Sequence, residues 1–200
     1  MADKTRPNTR EKIMSVSAKL FSESEYSKVT MREIAKAVGI NSASIYYYYP
    51  SKADILKSLY QFYSSQRLMG YPDLNELTRL AKTVPPREVL MKSVFHFGED
   101  VRDMLDQILV TAAHEIDADP ESERFIRENI FDSISCILKP LLQYMTDIKK
   151  IKPLDIDKFV GIVSYYCFSS AALNNTSFGN GPEQYQAELE LLFSIISPVE

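Results

Sequence analysis

"VTMREIAKAVGINSASIYYYYPSKADIL", residues 29–56, is the stretch that decides the fold. Met31, Ile34, Ala35 and Val38 recur at the spacing of one apolar helix face. Thr30, with Glu33 on its C-terminal side, forms a capping-box pattern at the head of that helix. Gly39 follows directly, as suits a residue that ends a helix at positive φ. After Gly39-Ile40-Asn41 a second helix has room for only about two turns before Pro50 stops it. Ser51 and Asp54 repeat the capping pattern and open a helix through Ile55, Leu56, Leu59, Phe62 and Tyr63. Upstream, Asn8 and Glu11 can cap a longer helix whose Ile13, Val16, Leu20 and Phe21 share one face. Residues 8–49 therefore read as a helix-turn-helix, and the small Ala35 lets its two short helices approach closely. On pattern alone, any three-helix bundle with a glycine turn reads the same way.

Four consecutive tyrosines, Tyr46 to Tyr49, fill the end of the second short helix. At about 100° per residue, Ile45 and Tyr49 fall side by side and face inward. Tyr46 and Tyr48 lie on the flanks, and Tyr47 points directly away from the core. A phenol suits a flank, because its ring packs on the body while its hydroxyl reaches a phosphate. Ala43 and Ser44 share the outer half with Tyr47, just behind Ser42. Serine can bond base edges or phosphates, and alanine can touch a thymine methyl. No Arg–guanine fork stands on this face, so part of any specificity is expected from DNA shape. Lys52 opens the next helix, whose free N–H groups favour an anion, although a solvated surface lysine is the plainer reading. The Thr30 hydroxyl can cap its helix or meet a phosphate.

The chain has 200 residues, 45% of them hydrophobic, enough for one large domain or two small ones with a real core. Net charge is −4, but residues 1–69 carry 11 Lys+Arg against 6 Asp+Glu, and the remainder is acidic. A basic head on an acidic body points to two modules, of which only the head attracts phosphates. The longest nearly apolar run, Ile162 to Leu173, is too short and polar to span a bilayer, and no secretory h-region is visible at the N-terminus. Cys136 and Cys167 read as small buried hydrophobes in a reducing cytoplasm rather than as a disulfide.

Beyond residue 70 the pattern stays helical. "GYPDLNELTRLAKTVPP", residues 70–86, reads as a boundary holding a short helix. Helices are expected at about 87–103, 105–117, 121–148, 155–174 and 183–197, with residues 174–183 as the loop before the last. No GxSxG, phosphate-cradling glycine loop or paired Cys/His set is present, so neither an enzyme nor a metal or organic cofactor is expected. His96 and His114, the only histidines, lack zinc-ligand spacing.

The run from Thr30 to Lys52 resembles the DNA-binding segment of the TetR family of bacterial transcriptional regulators. The resemblance rests on Thr30, Ile34, Ala35, Gly39, Ile40, Ile45, Tyr46, Tyr49, Ser51 and Lys52, and covers roughly residues 9–60 without gaps. It departs from the commoner pattern at Ser42, often lysine, and Ala43, often glycine. It implies an all-α protein of about nine to ten helices, with a helix-turn-helix DNA-binding domain over residues 1–50. A helical effector-binding and dimerisation domain over residues 51–200 would follow, with residues 51–69 as the connecting helix. Carried over by position, the DNA contacts are Thr30, Asn41, Ser42, Ala43, Ser44, Tyr46, Tyr47, Tyr48 and Lys52. The implied partners are a double-stranded palindromic operator, a second copy of the chain and a small hydrophobic or aromatic effector, with no membrane. Two heads about 34–36 Å apart would meet successive major grooves, which favours a dimer on physical grounds as well.

Among the aromatic residues of the body, Phe95, Tyr144, Tyr165 and Tyr166, together with His114, are the candidates to line an effector pocket. Ile134, Leu138, Leu141, Met145, Tyr166, Ser170 and Leu173 are the candidates for the dimer interface, with intramolecular core as the plainer reading of such faces. The resemblance implies a repressor released by its effector. The rival reading is a DNA-binding regulator or architectural protein without an effector, controlled by a protein partner.

Overall fold

The computed structural model describes residues 8–70, 72–94, 99–173 and 182–196, and these are helices joined by turns, with no β-strand among them. The helices are α1 (Thr9–Glu23), α2 (Met31–Val38), α3 (Ser42–Tyr48), α4 (Lys52–Met69), α5 (Leu74–Leu80), α6 (Pro86–Ser93), α7 (Glu99–His114), α8 (Pro120–Ile126), α9 (Ser133–Asp147), α10 (Ile156–Leu173) and α11 (Pro182–Ser194). A single 3₁₀ turn, Tyr26–Lys28, precedes α2, and a π-helical segment, Arg127–Asp132, joins α8 to α9.

The chain forms two compact units. The first comprises residues 1–66 and 98–123, the second residues 67–97 and 124–200. This is not the contiguous division at residue 50, because α7 packs on α1 and belongs with the N-terminal helices. The first unit buries Ile13, Phe21, Ile34, Ala35, Val38, Ile45, Tyr49, Ile55, Leu59, Leu105 and Ile108. The buried side of α1 is Ile13, Ser17, Ala18 and Phe21. Val16 and Leu20, expected in that stripe, are half-buried at its edges. Small residues take their place where α1 meets α7 and α2.

The second unit is built on α9, which packs against α5, α6 and α10, while α11 packs on α6 and α10. Its core includes Leu77, Val89, Leu90, Ile137, Leu142, Phe159, Val163, Leu189 and Phe193. The π segment carries its own support. Ser133 Oγ donates to the Glu128 carbonyl, and Asn129 donates to the Phe125 carbonyl, at 2.7 and 2.9 Å. The Arg67 guanidinium then donates to both Asn129 Oδ1 and Ser133 Oγ. Pro140 sits inside α9, and both it and Cys136, whose carbonyl it cannot bond, are exposed.

Several expectations need correction. The expected break near residue 104 does not exist, because α6 ends at an extended Val94 and α7 runs through 104. Residues 121–148 are not one regular helix but α8, the π segment and α9. Cys136 is exposed rather than buried. Ile134, Leu138, Leu141 and Met145, offered for a dimer interface, are buried in the core of their own unit, where α10, α5 and α6 already cover α9. Of the other dimer candidates, Leu173 is exposed, while Tyr166 and Ser170 are half-buried. The expected loop 174–183 lies outside the described residues except for its last two positions.

Two helix ends close in the same way. After α2, Ile40 N–H and Gly39 N–H donate back to the carbonyls of Ala35 and Lys36, with Gly39 at φ 80°. After α9, Lys150 and Lys149 donate to Met145 and Thr146, but here the left-handed residue is Lys149, at φ 57°. A side chain in that region costs about 1–2 kcal/mol that glycine avoids. We expect Gly39→Ala to lower stability by about 1 kcal/mol through backbone strain, since a Cβ there meets no atom within 4 Å. Lys149→Gly should raise stability by a similar amount. Urea unfolding midpoints with opposite shifts in the two variants would bear this out.

Candidate nucleic-acid interface

α3 is set by what stands at its two ends. The Asn41 side chain caps its start, Oδ1 accepting from Ala43 N–H at 2.8 Å. At the far end Tyr49 is extended, at φ −142° and ψ 115°, the conformation that a following proline imposes. Between them one side of the helix is held inside: Ile45 is fully buried and Tyr49, just past the end, is 1% exposed. The Arg10 guanidinium lies over the Tyr49 ring and its Nε donates to the phenol oxygen at 3.2 Å, tying α1 to the end of α3.

The opposite side is open. Asn41, Ser42, Ala43 and Ser44 are exposed, Tyr46 is 54% exposed, and Tyr47 is 87% exposed. Tyr48 is half-buried and meets the Tyr47 ring edge-on at 5.3 Å. The helical-wheel assignment of the four tyrosines thus matches the structure, with Tyr49 inside, Tyr47 outside and Tyr46 more open than a flank position requires.

All three capping boxes expected in the head are present in some form. Asn8 and Glu11 exchange side-chain and backbone bonds, as do Thr30 and Glu33. At α4, Ser51 Oγ accepts from Asp54 N–H and donates to the Asp54 carboxylate, a variant of the reciprocal pair. Thr30 Oγ1 accepts from Glu33 N–H at 3.2 Å and donates to its carboxylate at 2.8 Å, so the hydroxyl is engaged although the residue is exposed. Those bonds hold the Glu33 carboxyl below the usual carboxylate range.

Lys52 does something that sequence reasoning missed. Its ammonium donates to the carbonyls of Tyr26, Ser27 and Val29, at 2.5, 3.3 and 2.8 Å, and lies 4.2 Å from the centre of the Tyr26 ring. It is neither a free surface charge nor simply aimed at solvent. It clamps the turn ahead of α2 to the first residue of α4. Partial burial pulls its pKa down, opposed by Glu115 and Glu33. The Tyr26 phenol is pushed up to about 12 by burial, then by Glu115, Asp119 and Asp54. The signal for this clamp was the turn itself, in which the Tyr26 carbonyl accepts from Val29 N–H at only 3.3 Å.

The described pocket candidates fall in different units. His114 is exposed and, with Ser22, Glu23, Ser24, Glu25 and Lys28, lines a wide-open surface depression on the first unit. Tyr144, Tyr165 and Tyr166 belong to the second unit. Tyr165 is 67% exposed, with its ring edge-on to Phe131 at 5.1 Å. Tyr166 stacks on Tyr185 and donates to Glu188 at 2.8 Å. Tyr144 is half-buried, and Phe95 lies outside the described residues, as do His96 and Phe178. Among the described residues no cluster of His, Cys, Asp and Glu is placed to hold a metal ion, and no helix is long and apolar enough to cross a membrane.

Hydrogen bonds from a charged donor are worth about 1.5–3 kcal/mol, and the partly open position of Lys52 puts it at the lower end. Lys52→Met keeps the stem and removes the ammonium. It is expected to cost about 1–2 kcal/mol, read as a drop in thermal midpoint; an unchanged midpoint would mean that the three carbonyls do not depend on it.

Residues 13–59 match the family described as "Bacterial regulatory proteins, tetR family". The HTH-type transcriptional regulator YerO of Bacillus subtilis is 27% identical over 183 residues, 92% of this chain and 51% of that protein. The nucleoid occlusion factor SlmA of Aliivibrio fischeri is 29% identical over 101 residues, half of each chain. The chain thus spans about half the length of the curated relatives it matches. A TetR-like transcriptional regulator from Rhodococcus sp. RHA1 has the same fold, with a TM-score of 0.64 at 17% identity over 94% of this chain and 96% of that one. The helix-turn-helix over α2 and α3 thus lies in a segment, residues 13–59, that belongs to the DNA-binding part of the tetR family of bacterial regulatory proteins, and the described helices share the fold of a TetR-like regulator.

Proposed function

We propose that the protein is a cytoplasmic, sequence-specific DNA-binding transcriptional regulator that acts as a homodimer on a palindromic operator. The observation that carries this reading is the outer side of α3, which offers Ser42, Ala43, Ser44, Tyr46 and Tyr47 to a partner while Ile45 and Tyr49 hold the helix from within. Small residues let a helix settle deep into the major groove. Functionally, residues 1–50 are the reading head and residues 51–200 the body, whatever the packing of α7. Thr30 and Asn41 flank the reading helix, Tyr48 supports it, and Lys52 holds the turn beside it.

Phosphate attraction needs charges that are not already committed. Arg32 and Lys36 stand one turn apart on the exposed side of α2, and neither has an ion-pair partner among the described residues. Each phosphate neutralised contributes about 0.9 to the slope of log affinity against log salt. Arg32→Ala and Lys36→Ala should therefore each flatten that slope by about 1, with sequence preference unchanged. Selection of bound duplexes from random DNA tests the reading as a whole: an enriched inverted repeat is expected, and failure to enrich any sequence would sink it.

The dimer face proposed now lies on α10 and α11. These run antiparallel, since Tyr166 stacks on Tyr185 and Phe159 meets Phe193. Ile162, Tyr165, Ser169 and Leu173 make an exposed stripe on α10, and Gln184, Ala187, Leu191 and Ile195 one on α11 and just past its end. Ile162, Tyr165, Leu191 and Ile195 are each more than half exposed, which is apolar surface that a second copy would cover. Leu191→Glu is expected to give a folded monomer by sedimentation; a dimer of undiminished strength would place the interface elsewhere.

An effector that binds the body and shifts the two heads away from groove spacing completes the first reading. The second reading, in which a protein partner takes the place of the small molecule, draws on the open, shallow depression that His114 lines in place of an enclosed cavity. Titrating small hydrophobic and aromatic compounds into a preformed operator complex separates the two, because release of DNA supports only the first.

A further inference from the structure

Side chains that read bases by paired hydrogen bonds are few in kind. A guanidinium or ammonium reads guanine, a carboxamide reads adenine, and a carboxylate accepts from cytosine. α3 offers none of them. Its seven residues, Ser42 to Tyr48, carry no charge and no amide. The one amide beside it, Asn41, spends one Oδ1 lone pair on the cap bond from Ala43 N–H, which ties its side chain to the start of the helix. The serine and tyrosine hydroxyls both donate and accept, and so discriminate weakly between bases.

What the open side presents instead is carbon. The Ala43 methyl is exposed, and Tyr47 exposes nearly its whole ring. That ring meets Tyr48 at 5.3 Å and an interplanar angle of 89°, and Tyr48 is itself half-buried, so Tyr47 is braced on one side. The major-groove edge carries one base-specific carbon group, the C5-methyl of thymine.

Resting on the reading that α3 enters the major groove, we propose that α3 recognises its half-site through thymine C5-methyl groups. Ala43 and Tyr47 make the contacts, and Tyr48 positions the Tyr47 ring. The bases facing α3 are then thymines rather than guanines, and hydrogen bonding to base edges contributes little to their choice.

The experiment uses the full chain and the duplex obtained by selection from random DNA. Thymines of each half-site are replaced singly by deoxyuridine, which removes the methyl and keeps the pairing and the O4 acceptor. Binding is followed by fluorescence anisotropy at fixed salt. Burial of one methyl-sized group corresponds to about fourfold in affinity, so a loss of about three- to fivefold is expected at one or more positions per half-site. Tyr47→Ala should weaken the thymine duplex and abolish the uracil penalty at its own position, a coupling that loss of fold does not produce. Tyr48→Leu should shrink the same penalty, and Tyr48→Phe, which keeps the ring, should preserve it. Uracil tolerated within twofold at every position would overturn the inference, as would loss of binding confined to 7-deazaguanine at guanines. Either result leaves the DNA-binding reading intact, because the selected duplex is still bound. If no sequence is enriched in the selection, the DNA-binding reading fails and this inference falls with it.

Discussion

The head depends on one pair of side chains, Ile45 and Tyr49, buried four residues apart at the inner edge of α3. A helix of seven residues has no stability of its own in water, because nucleation costs more than so few hydrogen bonds return. It exists here because those two side chains enter the core of α1 and α2 and because its ends are closed, by Asn41 at one side and by the turn into Pro50 at the other. Arg10 then grips Tyr49 from α1 by ring stacking and hydrogen bond. Remove the anchors and the outer face has no defined orientation. Tyr49 combines core and tether, which a phenylalanine at that place would do only in part.

A second constraint reaches across the same unit. The 3₁₀ turn ahead of α2 closes with Val29 N–H on the Tyr26 carbonyl, and Lys52 adds donors to the carbonyls of Tyr26 and Val29 from the start of α4. Tyr26, over which that ammonium sits, also packs edge-on against Phe21 of α1 and feels the carboxylates of Glu115 and Asp119 beyond α7. Nearby, the buried Tyr60 phenol and Ser122 hydroxyl share a hydrogen bond at 2.7 Å, and Ser122 donates on to Asp119. Polar contacts thus tie α4 and the chain after α7 to the same corner of the unit that holds the turn before α2. This explains why the compact unit includes α7, which a division by chain order leaves out.

The head was legible because its signals are local. Capping residues, the glycine turn, the proline stop and a two-turn helical wheel all act within a few residues, and each found its counterpart in Thr30–Glu33, Gly39, Pro50 and the Ile45–Tyr49 pair. The body was legible only as helices. Apolar spacing says that a face is buried, not by what, so Ile134, Leu138, Leu141 and Met145 fitted a second copy as well as the plainer partner, the core against α10. The exposed stripes of α10 and α11 were hidden for the opposite reason: α10 is apolar nearly all round, and its open and covered sides differ little in composition. The π segment depends on side chains bonding carbonyls four and five residues back, for which serine and asparagine in a helix give no unambiguous sign. The Lys52 clamp joins residues about two dozen positions apart, beyond any local rule.

On the proposed reading, affinity and base choice are drawn from different helices of this head. Charge that can meet phosphates stands on α2, at Arg32 and Lys36, while α3 carries none. On that reading Ser42 and Ala43 keep charge out of the groove and put a methyl into it. A charged reader must lose its hydration in the groove and regain it by one well-aimed bond, so a misplaced base costs it heavily. A methyl or a ring loses little by desolvation and gains in proportion to the carbon it covers. Discrimination by an α3 that reads in this way would therefore be gentle at each position, and a second head at fixed spacing would multiply it. A dimer would matter more to a reader of this kind than to one with an arginine fork, and this links the proposed dimer face on the apolar stripes of α10 and α11 to the plain Ser42-Ala43-Ser44 face.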